Sequence, residues 1–144
     1  MELNSLAAEL IEITPKLLVL IRRKIKECAT GDLTMPQMRI LSHLKEEALS
    51  NSELADRCGV DITSMSRMAD NLIKRGYITR TTNHLDKRGV SLQISPKGFR
   101  EQDIVSVAIK AWLAKEMEAL SPSELSELGE GLKILKKLEE LMVD

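Results

Sequence analysis

The sequence predicts a mostly helical α+β fold: four helices, a two-stranded β hairpin and two C-terminal helices. Three observations predict it. Apolar residues recur at steps of three and four through most of the 144 residues, the period of a helix buried on one face. Helix-start pairs (Thr34 with Gln37, Ser50 with Glu53, Ser121 with Glu124) stand before three of these stretches. The period gives way to short β-branched runs at Tyr77–Thr81 and Val90–Ile94, which flank a charged segment as the arms of a hairpin do.

Each element has its own signals. Leu3, Leu6, Leu10, Leu17, Leu18, Ile21 and Ile25 mark a helical region over residues 3–29. Thr14-Pro15 lies inside it as either a kink or a cap followed by a first-turn proline; we read one region bent there and ended by Gly31. Thr34-Met35-Pro36-Gln37 opens a second helix over 35–47. Ser50-Asn51-Ser52-Glu53 opens a short third helix over 51–58, with Gly59 as its stop. Asp61 caps a fourth over 62–75, ended by Gly76. After the hairpin, Ser95-Pro96 starts a helix over 96–120, and Ser121-Pro122-Ser123-Glu124 starts the last one over 122–142.

Composition excludes several classes. The chain is 43% apolar and 30% charged with a net charge of −1, which argues against disorder and allows a core of its own. Its longest aliphatic run, Leu17–Ile21, is too short to cross a bilayer. Met1-Glu2-Leu3-Asn4 lacks the basic-then-apolar pattern of an export signal. Cys28 and Cys58 have no metal-ligand spacing. A cytoplasmic protein with no membrane association is the expectation. Neither His43 nor His84 belongs to a catalytic or metal motif, and no glycine-rich phosphate loop occurs. No enzyme activity, metal or cofactor is expected.

The small net charge hides a gradient. Residues 1–35 are neutral, residues 36–100 carry +4 and residues 101–144 carry −5. A basic middle between neutral and acidic ends suggests a polyanionic partner for the middle alone. The fourth helix sharpens this. At about 100° per residue, Ile62, Met65, Met68, Ala69, Leu72 and Ile73 form one apolar arc. Thr63, Arg67, Asn71 and Lys74 share the opposite face. Hydroxyl, guanidinium, amide and ammonium groups are those that bind base edges and phosphates in a major groove. Arg67 suits guanine, and Asn71 suits adenine or a phosphate. Thr63, Ser64 and Ser66 occupy the first turns, where a recognition helix meets bases. Against this stands the plain alternative of a solvated face, which Asp70 on the same side favours.

Three helices and a hairpin, with the third and fourth helices joined by a few residues around Gly59, follow the order of a winged helix-turn-helix. The hairpin tip, Asp86-Lys87-Arg88-Gly89, puts an arginine where it can enter a narrow minor groove. Asp86, two residues away on the same face, can hold that guanidinium.

Ser66-Arg67-Met68-Ala69-Asp70-Asn71-Leu72, Arg75-Gly76-Tyr77-Ile78 and Asp86-Lys87-Arg88-Gly89-Val90 together resemble the MarR family of winged-helix transcriptional regulators. Leu33-Thr34, Pro36-Gln37 and Ser52-Glu53-Leu54-Ala55 resemble that family's preceding helices. The resemblance implies a homodimer on a near-palindromic operator in double-stranded DNA. It assigns Thr63, Ser64, Ser66 and Arg67 to the major groove, Arg88 to the minor groove with Asp86 as its partner, and His84 and Lys87 to wing phosphates. It implies repression relieved by a small apolar or phenolic anion, or by cysteine oxidation in some members. Cys28 lies at the end of the first helix, whereas the family's peroxide sensors carry their cysteine nearer its start.

The ends of the chain point to self-association. Leu125, Leu128, Leu132, Leu135, Leu138 and Met142 line the last helix, and the first helix has a similar stripe. A second copy would cover both. Residues 1–34 and 99–144 are therefore expected to form a dimerisation arm, and residues 35–98 the DNA-binding module. A winged-helix module that binds a protein instead of DNA is the alternative.

Overall fold

A computed structural model describes residues 2–29, 33–82 and 89–143. Within them the chain forms α1 (Leu3–Cys28), α2 (Met35–Glu46), α3 (Asn51–Cys58), α4 (Ile62–Lys74), β1 (Ile78–Thr82), β2 (Val90–Ile94), α5 (Pro96–Met117) and α6 (Pro122–Met142). The expected order holds throughout. α5 ends three residues earlier than the sequence suggests, and the residues between it and Ser121 make a turn. α1 runs on through Pro15. There the Thr14 hydroxyl donates to the Leu10 carbonyl at 2.7 Å, a bond to the preceding turn that fits helical backbone. Gly31, read as the stop of the first helix, lies outside the described residues.

The helix starts follow from side-chain chemistry. Thr34, Ser50 and Ser121 each accept from the backbone three residues on, while Gln37, Glu53 and Glu124 reach back to the cap. Each box satisfies two N–H groups that a helix start otherwise leaves open. α3 ends at Gly59, whose φ of 66° is left-handed. That conformation turns the chain at once into α4 and costs a residue with a Cβ more than glycine.

The molecule divides into two compact units, residues 1–109 and 110–144. The first holds a core of Ile40, Leu41 and Leu44 from α2, Leu54 and Ala55 from α3, Met65, Ala69 and Leu72 from α4, and Ile78 and Leu92 from the hairpin. β1 and β2 pair antiparallel with Ile78 opposite Ile94 and Thr82 opposite Val90. Leu49 adds a single-residue bridge to Leu92, exchanging backbone bonds of 3.1 and 2.7 Å. This ties the approach to α3 to the hairpin, a contact too short to leave a sequence pattern.

In the second unit α6 buries none of its residues within one chain. Among the described residues of α1 only Ile25 is buried. Leu3, Leu6, Leu17 and Leu20 stay exposed, as do Leu125, Leu128, Leu132, Leu135 and Leu138.

The hairpin base is held to α5 by a close approach. A Cβ built on Gly98 would fall on the Tyr77 carbonyl oxygen and crowd Ile94. Lys97 sits over the Tyr77 ring at 4.6 Å and donates to the Arg75 carbonyl at 2.7 Å. Gly98→Ala should therefore destabilise the protein by about 1–3 kcal/mol, the usual cost of overpacking. Denaturant unfolding checks this, and an unchanged midpoint would contradict it.

Candidate nucleic-acid interface

α4 is positioned by what it buries. Met65, Ala69 and Leu72 are fully buried, at spacings of four and three. Met68 and Ile73 pack partly against the same core. Ile62 departs from the sequence reading, being 57% exposed. It is the first residue of α4, and the buried stripe begins one turn later at Met65.

The outward residues divide into three groups. Thr63, Arg67 and Lys74 are exposed, and their side chains have no hydrogen-bond or ion-pair partner among the described residues. Ser66 is half-buried. Ser64 and Asn71 are exposed but already bonded. The Ser64 hydroxyl donates to Asp61 Oδ2 at 2.9 Å, and its N–H donates to Asp61 Oδ1 at 2.8 Å. Asn71 Oδ1 accepts from Gln37 Nε2 at 3.0 Å and from Arg75 Nη1 at 3.4 Å. His84, Asp86, Lys87 and Arg88 lie outside the described residues, so the expected wing contacts have no described geometry.

Asp70 is the one acid that argued against a reading face. Its carboxylate takes Arg80 of β1 at 3.0 Å. Both side chains are about half exposed, so the pair contributes about 0–1 kcal/mol to stability. Its consequence is local: the acid's charge is offset, and α4 is linked to the strand that leads into the hairpin tip.

Four residues of this network were not singled out in the sequence. The sequence marks Asp61 as a cap only, Arg75 only as part of a family motif and Arg80 only as a strand residue. Gln37 was read as the reciprocal half of a cap. That role uses Oε1 alone, so the leftover amide nitrogen on a buried residue was the available signal.

A second feature adjoins α2. A cleft of about 300 Å³ is lined by Arg22 and Lys26 of α1 and by Leu33, Thr34, Met35 and Pro36. Leu18 and Arg39 line its continuation. Arg22, Lys26 and Arg39 have no ion-pair partner among the described residues, and no carboxylate appears in the described lining. Such a cleft combines an apolar floor with cations. Cys58 is a half-buried free thiol on α3. Burial pushes its pKa up, against a smaller opposing effect of Arg39, which leaves less of the reactive thiolate. Half-buried His43 on α2 is held below its usual pKa by burial, with Arg57 and Arg39 adding to the effect. Among the described residues no cluster of three metal-binding side chains occurs.

A scan of family models matches the MarR family over residues 33–90. Residues 33–90 belong to the MarR family. The protein is a transcription regulator of the winged helix-turn-helix type. The chain is 29% identical over 120 residues to the HTH-type regulator YfiV of Bacillus subtilis, spanning 78% of this chain and 71% of that protein. It is 31% identical over 94 residues to the transcriptional repressor MdtR of the same organism, spanning 65% of this chain and 61% of MdtR. In fold it is similar to FabT of Streptococcus pneumoniae, solved in complex with DNA, with a TM-score of 0.77 at 22% identity over 98% of this chain and 99% of that one.

The Asp61 cap generates a pH-dependent prediction. Its hydrogen bonds to Ser64, backbone first and hydroxyl second, hold the carboxyl below its ordinary value of 3.8. A depressed carboxylate stabilises the fold above that value and loses this contribution as pH falls through the lowered one. Asp61→Ala should lower the unfolding temperature at neutral pH. The gap to wild type should narrow below pH 3.8. Thermal unfolding across that range checks it; a gap that stays constant into acid would contradict it.

Proposed function

We propose that this protein is a homodimeric repressor that binds a near-palindromic operator through α4 and the hairpin. One observation carries the reading. α4 spends its apolar stripe on the core and leaves the Thr63, Arg67 and Lys74 side chains outward without partners among the described residues. Arg67 fits a guanine edge in the major groove. Lys74, at the other end of the helix, fits a phosphate. Thr63, Ser64 and Ser66 lie in the turns that meet bases, with Ser64 still able to accept through its oxygen. His84, Asp86, Lys87 and Arg88 are proposed as wing contacts from the family resemblance, with Arg88 in the minor groove. The relatives named as regulators and repressors, and the DNA bound to FabT, support this reading by analogy.

The exposed leucine stripes of α1 and α6 support the dimer. Their burial against a second copy is worth about 25 cal/mol per Å², and a two-fold pair is the commonest assembly. In this reading residues 1–34 and 99–144 form the arm and residues 35–98 the reader. Two readers would then sit about 34 Å apart, one helical turn of DNA. Localisation in the cytoplasm, with the DNA, belongs to the same proposal. The cleft beside Arg22 and Lys26 is proposed to take a small apolar anion that releases the operator. Its wall includes Thr34, whose cap reaches Gln37 and through it α4.

Arg67→Ala should weaken operator binding by about 1–3 kcal/mol and relax one operator position. Arg88→Ala should weaken binding and leave the dimer intact. Mobility shifts with sedimentation measure both, and unchanged affinity in both variants would reject the reading. Affinity should also fall steeply with salt, because phosphate contacts release counterions. If an aromatic carboxylate frees the DNA, Arg22→Ala combined with Lys26→Ala should abolish that release; unaltered release would exclude the cleft.

A further inference from the structure

We propose that Asn71 meets the duplex as a hydrogen-bond donor only, at a phosphate oxygen, and that buried Gln37 sets this polarity. The inference rests on the DNA-binding reading above. Its starting point is a backbone group. The Thr34 N–H can only donate, and it donates to Gln37 Oε1 at 3.0 Å. This turns the Gln37 Nε2 end toward α4, where it lies 3.0 Å from Asn71. An amide nitrogen cannot accept, so the Asn71 atom facing it is the carbonyl Oδ1. Arg75 Nη1, also only a donor, approaches that same oxygen at 3.4 Å. A chain of donors beginning at a peptide N–H thus leaves one consistent assignment of both side-chain amides.

The assignment decides what Asn71 can read. Asparagine recognises adenine by using both ends at once, Oδ1 toward N6 and Nδ2 toward N7. Here Oδ1 already accepts two donors, so that fork is closed. Nδ2 remains, exposed, with no acceptor among the described residues. A lone donor to purine N7 cannot tell adenine from guanine, since both carry it. Position favours the backbone instead. Recognition helices meet bases with their N-terminal residues, whereas Asn71 lies in the last turn of α4 beside Lys74 and Arg75. Gln37 is only 9% exposed. It acts through Asn71 as a positioning residue.

The test selects a consensus from random duplex DNA with the full wild-type chain. It then measures Asn71→Ala, Asn71→Asp and Gln37→Glu on that consensus and on every single-base change of it. Both Asn71 variants remove the donor and should bind every sequence about tenfold more weakly, with the ranking of sequences unchanged. Gln37→Glu still accepts from Thr34 but offers Asn71 an acceptor, which turns the Asn71 amide over. It should show the same uniform loss. If the buried carboxylate unfolds that variant, the exposed Asn71 pair still decides. Loss of an adenine preference at one position in Asn71→Ala, or affinity equal to wild type, overturns the proposal. A wild-type chain that enriches no sequence rejects the DNA-binding reading itself, and the inference falls with it.

Discussion

The burial of Met65, Ala69 and Leu72 beneath α4 is the constraint on which the rest depends. Met65 and Leu72 are each worth about 1.5–3 kcal/mol when taken from water, and the single methyl of Ala69 about 0.8 kcal/mol. Together they outweigh any single exposed ion pair in the molecule. Their spacing fixes the rotation of α4 about its own axis. That rotation alone decides that Thr63, Arg67 and Lys74 face outward. A helix turned by one residue would bury charge and expose methionine and leucine.

A second layer of polar bonds refines this face without adding much stability. Asp61 occupies the Ser64 hydroxyl hydrogen. Arg80 offsets Asp70. Gln37 and Arg75 occupy the Asn71 carbonyl. Each bond removes one chemical option from the surface. What remains is mainly donors and cations, complementary to a polyanion, with the Ser64 oxygen left as an acceptor. The same Thr34–Gln37 box that starts α2 therefore touches both the cationic cleft and the reading helix. α5 supports this from the other side, where Gly98 lets its first turn close on the hairpin base.

Helix order, caps and the two strands of the hairpin were legible in the sequence because each rests on local chemistry. Ser or Thr three residues before Glu or Gln starts a helix wherever it stands, and β-branched pairs such as Ile78 and Ile94 mark a ladder. The apolar arc of α4 was legible for the same reason, apart from Ile62 at its exposed start. Long-range polar bonds were not. The Gln37–Asn71 bond joins residues 34 positions apart, and Leu49–Leu92 joins single residues across three elements. Helical periodicity places Asn71 outward, which is correct, but it cannot tell that one end of its amide is taken. Of the wing residues, Asp86 and Arg88 rest on the hairpin-tip pattern and the resemblance, and His84 and Lys87 on the resemblance alone.

Protection of guanine N7 from methylation, probed along the selected operator, tests the central claim most directly. Bound protein should shield two major-groove segments on one face of the duplex, centred about 34 Å apart, and Arg67→Ala should lose guanine shielding within each. Shielding confined to the minor groove, or at a single segment, would contradict the account.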